Sequence, residues 1–211
     1  MSAPLVTITR AYASGGSDIA LLVAQQLGWT LIDNEFVEEV ARRAGLPRAE
    51  VAQREERAPG LLERLARTLA VASPEMFITT AGVPRVEDDE ATIVKVTERV
   101  IREAAAEGRA VLVGRGAQAV LAQRDHALHA YVVAPKTWRM KLAVERLGVD
   151  SAKVDKVVEE IDQQRDHYVK TYYGRARQDT GNYDMILNVE RLGMDGAAAV
   201  IVAEVQRRRW V

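Results

Sequence analysis

The chain has 211 residues, a net charge of −1 and no cysteine, with a pI near 6.3. This excludes disulfide scaffolds and thiolate metal sites, and argues against a nucleic-acid partner, which would favour a basic face. No apolar run approaches the roughly 18 residues of a membrane span, and the first residues lack the layout of a signal peptide. The expectation is a single cytoplasmic domain over 1–211, with no membrane partner and enough chain to bury a core.

The first strand is read where Leu5, Val6 and Ile8 are apolar. A small-residue turn then leads into a helix with Ile19, Leu22, Val23 and Leu27 on one stripe, closed at Gly28. Trp29–Ile32 reads as a second strand running into Asp33-Asn34, and Asn34 suits the cap of a helix carrying Phe36, Val37, Val40 and Ala41. Residues 46–90 read as a helical insertion punctuated by Pro47, Pro59, Pro74 and Pro84. A long helix is expected over about Asp89–Glu107, then a buried strand, Ala110–Val113, and another, Leu128–Ala134. Trp138, Leu142 and Leu147 mark the next helix, and Ser151 reads as the cap of one carrying Val154, Val157, Val158 and Ile161. Met185–Val189 is the last strand, and Ala198, Ile201, Val202 and Val205 mark the last helix.

Five short apolar strands separated by helices argue for an α/β fold, a parallel sheet covered on both faces. Ligands of such sheets collect at the carboxyl ends of strands. Arg10, Asp33, Arg115 and Asn188 all fall at strand ends.

The turn after the first strand carries the clearest chemistry. Against the phosphate-loop pattern G-x-x-x-x-G-K-[ST], it reads Arg10-Ala11-Tyr12-Ala13-Ser14-Gly15-Gly16-Ser17. Gly15 and Ser17 keep their places, but Arg10 stands for the first glycine and Gly16 for the lysine. A plain glycine turn would use the same letters; the strand before it and the helix after it favour an anion cradle. Ser14, Gly15, Gly16 and Ser17 are therefore the phosphate-binding candidates. Arg10 is the nearest cation to replace the lysine, its planar fork matching phosphate oxygens. On this reading a lysine restored at position 16 is expected to compensate partly for Arg10→Ala. Ser17 holds the Mg²⁺ position of the pattern. Asp18 binds metal or caps the helix, the cap being the commoner use of a first-turn carboxylate.

Taken together, Ile8-Thr9-Arg10-x-Tyr12-x-Ser14-Gly15-Gly16, Leu27-Gly28, Asp33, Val113-Gly114-Arg115-Gly116-Ala117, Ile161-Asp162-x-x-Arg165 and Tyr183-Asp184 with Asn188 resemble the cytidylate kinase-like family. The resemblance implies a three-layer α/β/α P-loop NTPase fold with a five-stranded parallel sheet and a helical lid over 151–179. It also implies ATP with Mg²⁺, and a nucleoside monophosphate or similar small phosphorylated acceptor. By the same resemblance Asp33, Arg115 and Asn188 face the acceptor and Arg165 leads the lid cations; Lys170, Arg175 and Arg177 follow it in the segment, as further lid cations or as a solvated helix face. The family's lysine is missing, and so are the aspartate after Arg115 and the later lid pair. Two classes stay open: a phosphotransferase, or a P-loop protein that holds a nucleotide or other anion without efficient transfer, as a monomer or a homo-oligomer. Tyr168, Tyr172 and Tyr173 read as packing rather than base-stacking.

Overall fold

In the computed structural model, residues 3–33 and 90–211 are described. Asn34 with the helix after it, and the helical insertion expected over 46–90, fall almost wholly outside the described residues.

Among the described residues five strands form one sheet: β1 (Leu5–Arg10), β2 (Thr30–Asp33), β3 (Ala110–Val113), β4 (Ala127–Val133) and β5 (Met185–Asn188). The order is β2-β3-β1-β4-β5, and every pairing is parallel, with Leu5 opposite Ala110 on one side and Ala127 on the other. Alternation along β3 shows why the strands are apolar almost throughout. Val111 and Val113 join one core with Val6 and Ile8, while Ala110 and Leu112 join a second with Leu5 and Ile32. Side chains of successive residues leave opposite faces, so a sheet covered on both sides needs apolar residues at every position.

Helices cover both faces. The first core packs α1 (Gly16–Leu27) and the last helix, α6 (Val189–Arg207), through Ile19, Val23, Ala198, Ile201 and Val205. The second packs α2 (Glu90–Glu107) and the short α3 (Ala117–Val120), through Val100, Ile101, Ala104 and Ala117. α4 (Lys136–Leu147) and α5 (Val154–Tyr173) pack on each other around Ala143, Val154 and Val158. No described helix is long and apolar enough to cross a membrane.

Most elements match their sequence reading to within about two residues; three differences have local causes. β1 continues through Arg10, which pairs with Val132 of β4. Val189 begins α6 because the Asn188 side chain accepts the Glu190 N–H. The helix expected to start at Ser151 starts at Val154, since the Asp150 carboxylate takes the Ala152 N–H and turns the chain first. Gly28, Gly148 and Gly174 close their helices in left-handed conformation, as a residue without Cβ does most readily.

Candidate functional site

The loop between β1 and α1 is braced from within. Ala11 N–H donates to the Val132 carbonyl at 3.0 Å and Ser14 N–H to the Ala11 carbonyl at 3.3 Å. The buried Ser14 hydroxyl donates to the same Ala11 oxygen at 2.8 Å and approaches that of Val132 at 3.2 Å. Ser14 therefore shapes the loop with both of its donors. Ala13 and Gly15 take positive φ values of 55° and 75°. The first bond of α1 is Ile19 N–H to the Gly15 carbonyl. Among the described residues no protein oxygen accepts the N–H groups of Gly15, Gly16, Ser17 or Asp18. Four converging donors at a helix N-terminus form a nest for an anion. Of the loop's other N–H groups, those of Ala11, Tyr12 and the candidate Ser14 are occupied within the protein.

Arg10 explains the missing lysine. Its side chain is buried, with 5% exposure. A Cβ placed on Gly16 would stand 2.5 Å from the Arg10 Cβ and 3.0 Å from its Cγ, and one placed on Gly114 would overlap its Nη1. Arg10 thus runs under the loop through space that two glycines leave open, and its guanidinium emerges beside Gly114 at the end of β3. A lysine at position 16 could not coexist with this path.

Two depressions meet at that point. One is floored by residues 11–18 and walled by Arg10, Leu142, Arg146, Leu147 and Arg165. The other lies between β1, the turn after β3 and α5; it is lined by Arg10, Arg115, Arg165 and Arg177 with Gln118, Tyr168 and Tyr183 among others, and no carboxylate is among its described lining. Arg10 and Arg165 border both. Four guanidinium groups thus line the second, and such groups attract anions and offer forked donors, although Arg177 is already paired with Asp166 and Asp162.

Each arginine has its own seat. Arg115 sits at φ 47° between Gly114 and Gly116, both also positive, and its guanidinium lies 5.0 Å from the Tyr168 ring centroid. Tyr173 packs into the space beside Gly116. Arg177 meets Asp166 at 2.5 Å and Asp162 at 3.4 Å and donates to the Arg10 carbonyl at 3.0 Å. Burial opposes its charge, but Tyr131 and the two carboxylates outweigh that and raise the guanidinium pKa above its ordinary value. Tyr183 donates to the Arg177 carbonyl at 2.6 Å, and burial pushes its phenol up to about 12.

The sequence profile of the cytidylate kinase-like family matches residues 5–191. The chain belongs to that family. No curated protein sequence matches it. Its fold is that of the P-loop kinases. An uncharacterised protein of Eubacterium ventriosum superposes with a TM-score of 0.68 at 20% identity, covering 96% of this chain and 98% of the other. A shikimate kinase of Acinetobacter baumannii in complex with shikimate gives 0.53 at 12% identity, covering 98% and 94%. One from Bacteroides thetaiotaomicron gives 0.54 at 12%, covering 96% and 98%.

Within this P-loop kinase fold the remaining sequence candidates separate. Asp33 ends β2 and Asn188 ends β5, the two outer strands. Four strand spacings part them, roughly 19 Å at about 4.8 Å each, and neither lines either depression. Asn188 spends its side-chain oxygen on capping α6, 3.1 Å from the Glu190 N–H. Lys170 is exposed, and Arg175 donates to Asn182 at 2.9 Å; neither borders the depressions. Tyr168 is buried against Val94 and Val169, as packing requires. Asp162 and Tyr183 stand in the family motifs with no role assigned and Arg139 stands in none; the contacts of all three were not readable from the sequence.

A Mg²⁺ ion arriving with nucleotide phosphates needs only one or two protein oxygens. The exposed Ser17 side chain at the start of α1 fits that need. Asp18 beside it lies 3.7 Å from Arg146 rather than capping the helix through a side-chain bond. Among the described residues no group of three acidic or histidine side chains could hold an ion alone.

Proposed function

We propose that this cytoplasmic family member transfers the γ-phosphate of ATP to a nucleoside monophosphate or a similar small phosphorylated acceptor. The observation that carries the reading is the shared border. Arg10 and Arg165 belong at once to the depression over the phosphate nest and to the arginine-lined one beside it. Phosphoryl transfer asks a protein for positioning and charge neutralisation more than for covalent chemistry, and two cations between two anion sites meet that demand.

In this scheme the N–H groups of Gly15, Gly16, Ser17 and Asp18 hold the donor's phosphates. Mg²⁺ held by Ser17 would neutralise charge on the donor phosphates. Arg115 grips the acceptor phosphate, and Asp33, on the strand that pairs with β3 up to Val113, faces the acceptor's sugar or base. Arg10 approaches the transferring group from below and Arg165 from α5. The segment 151–179, with Lys170 and Arg175 at its rim, excludes water, which competes as an acceptor.

A second reading is favoured by one observation: the Arg10 guanidinium lies at Gly114, not over the loop where a lysine would reach. On it, the protein holds a nucleotide or other anion and transfers poorly. An ADP-release assay with ATP, Mg²⁺ and a panel of nucleoside monophosphates, with shikimate as the hydroxyl acceptor, separates the two. Acceptor-dependent release supports the phosphotransferase. ATP binding measured by calorimetry without such release supports the holder.

A further inference from the structure

The start of the phosphate loop is held by side chains from far along the chain. Asp162, on α5, accepts the Tyr12 N–H through Oδ1 at 2.9 Å and the Arg139 Nη1 through Oδ2 at 2.7 Å. The same Arg139 nitrogen donates to the Tyr12 carbonyl at 2.9 Å, and its Nε to Ala134 at 3.1 Å. Arg177 closes the set, 3.4 Å from the Asp162 carboxylate and 3.0 Å from the Arg10 carbonyl. Side chains from α4, α5 and the segment after α5 therefore hold three polar backbone groups at the loop's mouth, the Arg10 carbonyl and both groups of Tyr12. The Asp162, Arg139 and Arg177 side chains are only 17%, 11% and 4% exposed, so solvent and salt screen these pairs weakly.

We infer that Asp162 is a positioning residue that preforms the phosphate loop. Its carboxylate takes the Tyr12 N–H, which turns that donor away from the ligand and fixes the Ala11–Tyr12 peptide. The Arg139 it holds fixes the Tyr12–Ala13 peptide through the Tyr12 carbonyl, just before Ala13 turns to positive φ. An acceptor alone would fix the peptide; the negative charge is needed to hold Arg139 and Arg177 on the carbonyls either side. Two consequences follow. Only the donors at 15–18 remain for an anion, and α5 cannot lift away without pulling on the loop. A lid built here moves with the loop or not at all.

The affinity arm of the test rests on reading residues 15–18 as a phosphate site; the exchange arm does not. Hydrogen exchange of the unliganded protein follows the Tyr12 and Ser14 amides beside those of β1 and β4, with ATP and pyrophosphate binding measured by calorimetry. In Asp162→Ala the loop amides are expected to exchange at least about tenfold faster while sheet amides keep their rates. Asp162→Asn, which keeps an acceptor and loses the charge, falls between. Arg139→Met is expected to loosen the same amides with Asp162 present, and the pyrophosphate Kd to rise about tenfold in Asp162→Ala. Unchanged loop exchange, or an equal increase across the sheet, overturns the inference. Should Asp162→Ala not fold, Asp162→Asn is judged by those two outcomes. If the unaltered protein binds neither ATP nor pyrophosphate, the phosphate reading falls, and the exchange rates still decide for or against Asp162.

Discussion

The loop after β1 and the turn after β3 leave neighbouring strands at the same end of the sheet and both pass through positive φ into a helix. They are held by different forces. Charged side chains grip the loop's backbone: Asp162, Arg139 and Arg177 on Tyr12 and Arg10. The turn keeps its own backbone bonds, Gly114 N–H to the Ile8 carbonyl and Ala117 N–H to that of Gly114, and rings pack on it: Tyr173 against Gly116 and Tyr168 beneath the Arg115 guanidinium. Directional bonds fix where N–H groups point, whereas a cation over an aromatic face tolerates small displacements. The loop is thereby the more directionally fixed of the two. In both, glycines make room for a side chain from elsewhere, Gly16 and Gly114 for Arg10 and Gly116 for Tyr173.

The largest effect that can break this contrast is at Arg177. Arg177→Met leaves Asp162 and Asp166 without their shared cation and the Arg10 carbonyl without a donor. Removing one partner of a buried pair costs about 3 kcal/mol or more, which for a chain of this size lowers Tm by roughly 6–12 °C. Thermal unfolding checks it. A loss below about 1 kcal/mol, the worth of a surface pair, would mean that the loop is not held electrostatically.

Next comes Arg10. Arg10→Ala is expected to weaken ATP by about 2 kcal/mol, roughly thirtyfold in Kd, the order of a charge-assisted bond. The structure corrects the rescue expected from the sequence. Arg10→Ala keeps its Cβ, which a side chain at 16 would meet at 2.5 Å, so Gly16→Lys on that background restores little. Arg10→Gly with Gly16→Lys clears the path and is the pair expected to recover binding. Equal recovery in both double variants would show that Arg10 does not run under the loop.

How far all this was legible depends on the range of each signal. Strand positions were readable because burial on both faces makes apolar runs contiguous, as at Ala110–Val113. Arg10 and Arg115 stood out because strand ends concentrate chemistry, and Gly16 because it stands where the phosphate-loop pattern has its lysine. Asn188 also stood at a strand end, but the helix starting at Val189 claims its oxygen. Beyond Ile161 apolar residues are few, yet Tyr168 and Val169 bury there against Val94, since one ring covers what several aliphatic residues would. Asp162 and Tyr12 lie 150 positions apart, and no periodicity reaches that distance.

A smaller effect sharpens the polar side through pH. Burial raises the Tyr183 phenol to about 12 from its usual value near 10. Below pH 10 both folded and unfolded chains keep the proton, and stability is unaffected. Between pH 10 and about 12 the unfolded chain ionises first, so stability falls as pH rises. Because the ring is partly exposed, the loss is about 1 kcal/mol. Chemical unfolding at pH 9 and 11 should show a smaller difference in Tyr183→Phe than in the unaltered chain. Tyr131, also shifted upward by burial, leaves a residual slope.

The smallest change in stability is expected on the aromatic side, at Arg115→Gly. Arginine at φ 47° carries a left-handed penalty of about 1 kcal/mol that glycine escapes. Against that, the variant loses the Tyr168 stack, about 0.5–1 kcal/mol, and gives the unfolded chain more freedom, about 0.5 kcal/mol. These three contributions nearly cancel, so a change in unfolding free energy beyond about 0.5 kcal/mol measures the further interactions of Arg115. If Arg115 grips the acceptor phosphate as proposed, acceptor-dependent ADP release should nevertheless fall steeply while the Kd for ATP stays put. A stability loss as large as that of Arg177→Met would show that the turn is cross-braced like the loop and would erase the difference between them. A rise in the Kd for ATP would place Arg115 on the donor instead, with the acceptor's phosphate left to Arg10 and Arg165.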